Sequence, residues 1–397
     1  MIFFFLQQAG PQCSAFLRKI FMDKQPRFQI MKRLNLVLLA LCALLCVNVS
    51  AADIKYVDAQ KLTHLGKMCK TTNPYHRVEV ADYPELTKTE ANLLLNTSGE
   101  AILFETDSKS IWVKAEFGIS RCPGGMTMNA ACGFNLYIEE DGEWLWAASR
   151  SNAAGKDEKG NNRLDKPLRL IAHMDGETKR CMIYLPLFSE LKSLEIGVDE
   201  GASIRPIDNP FRHKIAIFGS SYTHGHGATC AGQTYPAFLQ RQTGLYFCSF
   251  GMSGNSKLQR VMGEILASTD AEAYVVDAFS NPTIEEIGAR IRPFIAEIRK
   301  THPTAPIIFL RTIYRESRNF DTKVEAAEQS RIDFVEKLMA DIVKEYDDVY
   351  YINVADQTGD DHNTSTDGTH PSSWGYKRWA DSIQPQIVKI LKRYGIE

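Results

Sequence analysis

The sequence predicts two parts in series: an antiparallel β-sandwich of jelly-roll type over residues 52–208, then a three-layer α/β/α domain over residues 212–397. Three observations carry this expectation. Between about 55 and 205, short apolar–polar alternations are separated by turn residues, the pattern of half-buried antiparallel strands. Beyond the Pro-marked connector Arg205-Pro206-Ile207-Asp208-Asn209-Pro210, continuous apolar runs alternate with helical stretches, which implies a mostly parallel sheet covered on both faces. The chain is also long enough for two real cores, with 397 residues of which 44% are hydrophobic and 24% charged. That composition excludes disordered and low-complexity scaffolds.

The elements follow in chain order. Met31-Lys32-Arg33 opens a basic segment, Leu36 to Val47 is an apolar run, and Val49-Ser50-Ala51 supplies the small residues of a cleavage site. The run is too short to span a bilayer, so residues 31–51 are read as a cleaved signal peptide, with translation expected to start at Met31 and residues 1–30 a misassigned start. Cys42 and Cys46 lie in the run, but Leu41 and Leu45 precede them where lipid attachment needs a small residue, which leaves lipoprotein anchoring the minor alternative. The expected destination is the periplasm or the exterior, with no stable membrane span. Net charge is −2 for the whole chain and −7 once residues 1–51, with six Lys/Arg and one acid, are removed. No basic field is available to follow a phosphate backbone, so nucleic acid is not an expected partner. Six cysteines remain after the leader (Cys69, Cys122, Cys132, Cys181, Cys230 and Cys248), and structural bridges or buried thiols are expected. None has zinc-ligand spacing, and neither a metal nor a cofactor is expected.

In the first part, strands are expected at Ala101–Phe104, Ser110–Phe117, Gly133–Ile138, Arg180–Leu185 and Leu194–Val198, with a polar loop at Gly155–Asn162. In the second part, strands are expected at Lys214–Gly219, Tyr246–Gly251, Ala273–Phe279, Pro306–Tyr314 and Val349–Val354. Helices are expected near 233–242, 257–267, 284–301, 322–346 and 373–394. Parallel sheets bind ligands at the carboxyl ends of their strands, so the chemistry is sought there.

The first of these strands ends Gly219-Ser220-Ser221-Tyr222-Thr223, which places a hydroxyl beside a tight turn. The second ends Ser253-Gly254-Asn255, where glycine lets a backbone N–H approach a ligand. The third ends Ser280-Asn281-Pro282, where Asn281 either aims an amide into the cleft or caps the following helix. Before the last helix comes Asp367-Gly368-Thr369-His370-Pro371, in which the acid can orient and stabilise the imidazole. Each fragment alone is also ordinary turn chemistry; the four in this order are not.

Together they resemble the SGNH (GDSL-type) hydrolases, a flavodoxin-like α/β/α family with about five parallel strands. The upstream Gly133-Phe134-Asn135-Leu136-Tyr137 resembles the Gly-x-Asp-Leu-Tyr signature of the β-sandwich that precedes such domains in exported bacterial carbohydrate esterases, with Asn replacing Asp. The usual Gly-Asp-Ser is Gly-Ser-Ser here, and the motif's register selects Ser221 over Ser220. The usual Gly-x-Asn-Asp is reduced to Phe279-Ser280-Asn281-Pro282, without its second acid. The resemblance implies Ser221 as nucleophile, His370 as base and Asp367 as its partner. It implies further that the Ser221 and Gly254 amides and the Asn281 side chain meet the oxyanion. It points to an esterase acting on O-acyl, above all O-acetyl, groups of carbohydrates. The alternatives are a lipid ester or thioester hydrolase and a catalytically retired carbohydrate-binding module.

Other residues are read structurally. His224 and His226 are expected in a polar cleft wall rather than on a metal, and Asp360-Asp361-His362 in a solvated loop. Trp374 and Tyr376 are expected to anchor the last helix, with stacking on a sugar the minor alternative, and Trp144 and Trp146, on one face of a strand, to lie in the core. A loop of the sandwich is expected to overhang the cleft.

Overall fold

Residue identity alternates between two cores across the central sheet of the second part, and this alternation organises the molecule. The computed structural model describes residues 53–397; the leader read at 31–51 and the lipid-anchor question at Cys42 and Cys46 lie outside the described residues. The strands are β1 (Ile54–Asp58), β2 (Thr63–Leu65), β3 (Ala101–Thr106), β4 (Ile111–Ser120), β5 (Phe134–Glu140), β6 (Glu143–Arg150), β7 (Leu168–Ile171), β8 (Lys179–Tyr184), β9 (Ser189–Asp199) and β10 (Ile204–Pro206). After them come β11 (Arg212–Gly219), β12 (Leu245–Gly251), β13 (Ala273–Asp277), β14 (Ile307–Leu310) and β15 (Val349–Ile352). The helices are α1 (Lys88–Leu94), α2 (Met128–Ala131), α3 (Ser221–His224), α4 (Tyr235–Thr243), α5 (Arg260–Ala267), α6 (Ile284–Arg299), α7 (Thr322–Glu345) and α8 (Ser373–Leu391).

Two antiparallel sheets, β1-β9-β4-β7 and β10-β3-β8-β5-β6 with β2 beside β3, form the sandwich. The third sheet is parallel, in the order β12-β11-β13-β14-β15. This is the flavodoxin-like arrangement, and its order reverses at β11, where such sheets open a ligand crevice. From β11, Ile215 and Ile217 enter one core with Leu239 of α4 and Trp379, Ile383 and Ile387 of α8, a core continuous with that of the sandwich. Ala216 and Phe218 enter the other with Met262 of α5, Phe294 of α6 and Met339 of α7. Strands buried on both faces carry no polar side, which is why their sequence reads as unbroken apolar runs.

Ile54–Glu397 form one compact unit. Fully buried Arg77, which precedes α1, fastens the two parts: its guanidinium donates to Asn96 O (2.8 Å), Leu93 O (2.5 Å), and Ser249 O and Gly251 O of β12 (both 3.1 Å). Its burial pushes its pKa down to about 10 despite nearby Glu100. The Gly133–Tyr137 signature fastens a second point. Asn135 Nδ2 donates to Ala148 O (2.8 Å) while its Oδ1 accepts from Gly232 N (3.0 Å). An aspartate could accept but could not make the first of these bonds.

Several expectations are corrected. The Ala273 and Pro306 runs leave the sheet at Asp277 and Leu310, because their apolar ends continue as buried loop rather than as ladder. Trp146 is exposed (52%) and Trp144 only half-buried, since both project from the sandwich edge strand β6. Trp374 is exposed (60%) at the start of α8, so of the expected pair only Tyr376 anchors that helix, together with Trp379. All six cysteines from Cys69 onward are free thiols, four of them buried, so the bridged alternative is not realised among the described residues.

Candidate functional site

The turn after β11 decides between the two serines. Ser220 N–H donates to Asp277 O (3.0 Å), and Ser220 Oγ donates to Asp277 Oδ2 (2.9 Å) while accepting from Tyr222 N (3.1 Å). Ser220 is thereby the buried N-cap of α3, turned away from the cleft. Ser221, the next residue, points the other way. Its Oγ lies 2.9 Å from His370 Nε2, and His370 Nδ1 lies 2.8 Å from Asp367 Oδ2. A carboxylate only accepts, so Nδ1 carries the proton and Nε2 accepts from the Ser221 hydroxyl.

Asp367 is held by more than the imidazole: its Oδ1 accepts from the amides of Thr369 (2.9 Å) and His370 (2.8 Å). Partial burial opposes its charge, but the ring and amide hydrogen bonds outweigh that and hold it below the ordinary carboxylate range. The loop is closed by Thr366 N–H on His370 O (2.8 Å) and by Gly368 N–H on Ser365 Oγ (2.9 Å), with Gly368 at φ +86°. Ser372 caps α8 directly behind it, accepting from Gly375 N.

Gly254 and Asn281 stand on the loops after β12 and β13, the two strands that flank β11. Neither is hydrogen-bonded to Ser221; they are tied to each other's neighbourhood by Ser256 N–H donating to Asn281 Oδ1 (3.3 Å). Gly254 has φ +73° and open space where a Cβ would be. Thr283, not Asn281, caps α6, in a capping box with Glu286. The Asn281 amide group and the amides of Ser221 and Gly254 have no protein acceptor among the described residues, as oxyanion donors require.

Two residues escaped the sequence reading, and a third, expected only in the cleft wall, stands closer to the site than that. Buried Asp277, at the end of β13, holds the Ser220–Ser221 turn through Ser220 and Thr223 Oγ1 (3.1 Å), and burial pushes its carboxyl up to about 7. A lone acid closing an apolar strand was the available signal. Arg315 joins Tyr222 Oη (2.7 Å), Ser280 O (3.2 Å) and Glu328 of α7 (2.8 Å), and no local pattern announces it. His226 stacks on His370, with ring centroids 3.9 Å apart and planes at 18°.

His224 is a core residue rather than a cleft wall. It is stacked on Phe188 (4.2 Å), donates from Nε2 to Leu187 O (2.7 Å), and is held well below its ordinary pKa by burial and by Arg77. Asp361 and His362 are exposed and paired with Arg378 (2.7 Å) and Glu316 (2.9 Å). Among the described residues, one His/Asp group could crowd an ion: His226, Asp367 and His370, with candidate atoms within 4.8 Å. Its nitrogens have other work, since both of His370 serve Asp367 and Ser221, and His226 Nε2 is bonded to Gly124 O (2.9 Å).

That last bond comes from the sandwich. The segment from Arg121 to Thr127, between β4 and α2, reaches the site: besides Gly124 O, Met126 Sδ accepts from Gly227 N (3.1 Å) and Thr127 Oγ1 donates to Thr229 O (2.6 Å). Gly125, at φ +78°, lies so close that a Cβ would meet Asp367 Oδ2 at 3.4 Å.

Strand-end serine, imidazole and carboxylate on a three-layer sheet define an ester hydrolase. The GDSL-like lipase/acylhydrolase family matches residues 212–388, and the N-terminus of SGNH-hydrolase-type esterases, GxDLY, matches residues 54–204. A GDSL-like lipase structure from Bacteroides ovatus is 36% identical, with a TM-score of 0.80 over 86% of this chain and 98% of that one. The chain belongs to this family of SGNH/GDSL-type ester hydrolases. More distant structures share the fold. The salicylyl-acyltransferase SsfX3 of a tetracycline biosynthetic pathway is 19% identical (TM-score 0.61, 87% of this chain and 99% of that one). A family two carbohydrate esterase from Cellvibrio japonicus is 11% identical (TM-score 0.54, 86% and 99%). No curated protein matches the chain.

Proposed function

We propose that the protein is an exported serine esterase that removes O-acyl groups, O-acetyl foremost, from carbohydrates. Ser221 attacks the ester carbonyl as His370 takes its proton, and the same imidazolium then protonates the departing alcohol. Water, deprotonated by His370, releases the acid from the acyl-enzyme and restores Ser221. Asp367 fixes the imidazole tautomer, and the Ser221 and Gly254 amides with the Asn281 amide group receive the oxyanion, each such donor contributing roughly 3–4 kcal/mol in the transition state. The observation that carries this reading is the unbroken hydrogen-bond chain from Ser221 through His370 to Asp367, at 2.9 and 2.8 Å.

Carbohydrate as the alcohol is supported by the family two carbohydrate esterases among the fold's relatives and by Trp374. That indole is exposed four residues beyond His370, where it can stack on a sugar ring. Export is supported by the leader pattern at residues 31–51.

The test compares the protein with Ser221→Ala and Trp374→Ala on p-nitrophenyl acetate, butyrate and octanoate and on acetylated xylan. Acetate-selective turnover that vanishes on every substrate in the serine variant, with release from xylan but not p-nitrophenyl acetate turnover weakened in the tryptophan variant, is the expected result. A preference for octanoate would move the substrate to lipid or thioester, and hydrolysis surviving Ser221→Ala would end the serine mechanism.

A further inference from the structure

His226 sits where a structural accident is hard to accommodate. Its ring lies flat on the His370 imidazole, 3.9 Å between centroids and 18° between planes, while Tyr222 meets His370 in a T-shaped contact at 5.8 Å. His370 is therefore held between two aromatic rings, one stacked and one steeply inclined. His226 is itself fixed at three points: Nε2 donates to Gly124 O of the sandwich segment (2.9 Å), its ring meets Phe188 edge-on at 5.8 Å, and its carbonyl accepts from Tyr376 Oη (2.6 Å). Burial and the neighbouring His370 hold its pKa below the ordinary histidine value, with Asp367 opposing and Arg121 adding to the depression. A neutral ring is what this place requires: a second positive charge there would oppose the imidazolium that forms during turnover, whereas an uncharged π face stabilises it.

We propose that His226 is a positioning residue for the hydrolysis, clamped by the Gly124 carbonyl so that its ring keeps the His370 imidazole aimed at Ser221 and supports it once protonated. The N-terminal part thus completes the catalytic half without contributing a side chain to the reaction. This rests on the serine-esterase reading above. The stack is made equally in the resting enzyme and during turnover, but its benefit falls on the charged imidazole, so the loss should be in kcat rather than KM.

The experiment measures kcat and KM for p-nitrophenyl acetate, with thermal melting alongside, in the full chain and in His226→Ala, His226→Phe and Ser221→Ala. His226→Ala is expected to lose about tenfold or more in kcat with KM within about twofold. His226→Phe keeps a flat aromatic face without the Gly124 bond and should recover most of that loss. A kcat for His226→Ala within about threefold of the parent overturns the proposal. So does a Phe variant that melts like the parent yet is as slow as Ala, because the stack would then be irrelevant. If His226→Ala does not fold, the Phe variant decides alone: near-parent kcat supports the stack, and a loss of about tenfold or more in a variant that melts like the parent opposes it. Full activity in Ser221→Ala removes the serine-esterase reading itself, a result separable from inactive Ser221→Ala with unchanged His226→Ala, which removes only this inference.

Discussion

The α/β half and the sandwich half shape the same site by different means. The α/β half supplies side chains: Ser221 opens α3 at the end of β11, and Asn281 and His370 stand in loops shortly before a helix, each placed by local turn chemistry. The sandwich half supplies backbone and fit: the Gly124 carbonyl on His226, a glycine at 125 beside Asp367, and Arg77 holding the carbonyls of Ser249 and Gly251 at the end of β12. The lesson is that residue identity records the chemistry of one half, while the other half's contribution is recorded mainly in where its chain runs.

The sharpest way to break this comparison is at the adjacent serines. Ser221→Ala should lower kcat by about a millionfold, to the floor of a p-nitrophenyl acetate assay, and Asp367→Asn by about ten-thousandfold. Ser220→Ala removes only the cap and the bond to Asp277 and should keep measurable turnover; equal losses in the two serine variants would mean that the turn assigns the nucleophile wrongly.

Arg77→Met tests the sandwich side. It takes the guanidinium from four carbonyls, of which Leu93 O keeps the Asn96 N–H, and should cost about 3–5 kcal/mol in urea unfolding. A cost below about 1 kcal/mol would show that the two halves do not depend on this tie.

Asp277 gives a prediction in pH. Its carboxyl is raised to about 7 from an ordinary 3.8, so between these values the folded protein keeps a proton that the unfolded chain has released. Stability contributed at this site therefore falls as pH rises from about 4 to about 7 and levels off above. Asp277→Asn cannot release a proton, and the stability difference between parent and variant should shift by about 4 kcal/mol across that window, in favour of the variant at the higher pH. A pH-independent difference would mean that Asp277 is ionised throughout.

The smallest effect is expected at Gly232, where an added Cβ would meet Tyr137 at 2.6 Å, Tyr184 at 2.7 Å and Asn135 Oδ1 at 2.8 Å. Gly232→Ala should cost about 1–3 kcal/mol, read as a lowered melting temperature, with the chemical step unaffected.

The sequence by itself determined the five parallel strands, because strands buried on both faces must be continuously apolar, and it determined the order of the serine, glycine, asparagine and Asp-x-x-His blocks, because turns at strand ends demand particular residues. It also marked Asn135 as a departure from the signature without revealing why an amide serves there. Tertiary structure supplied the physical ground for Ser221, which the motif's register had already selected: Ser220 is held by Asp277 on one side of the turn while Ser221 faces the imidazole on the other. It exposed Trp146 and Trp374, since a strand edge and a helix start can carry apolar rings outward with no local sign of it. It brought Gly124, His226 and His370 together across separations of 102 and 144 residues, which no local spacing encodes. Periodicity and turn chemistry are properties of neighbours in sequence; stacking, clamping and a carboxyl raised by burial belong to neighbours in space.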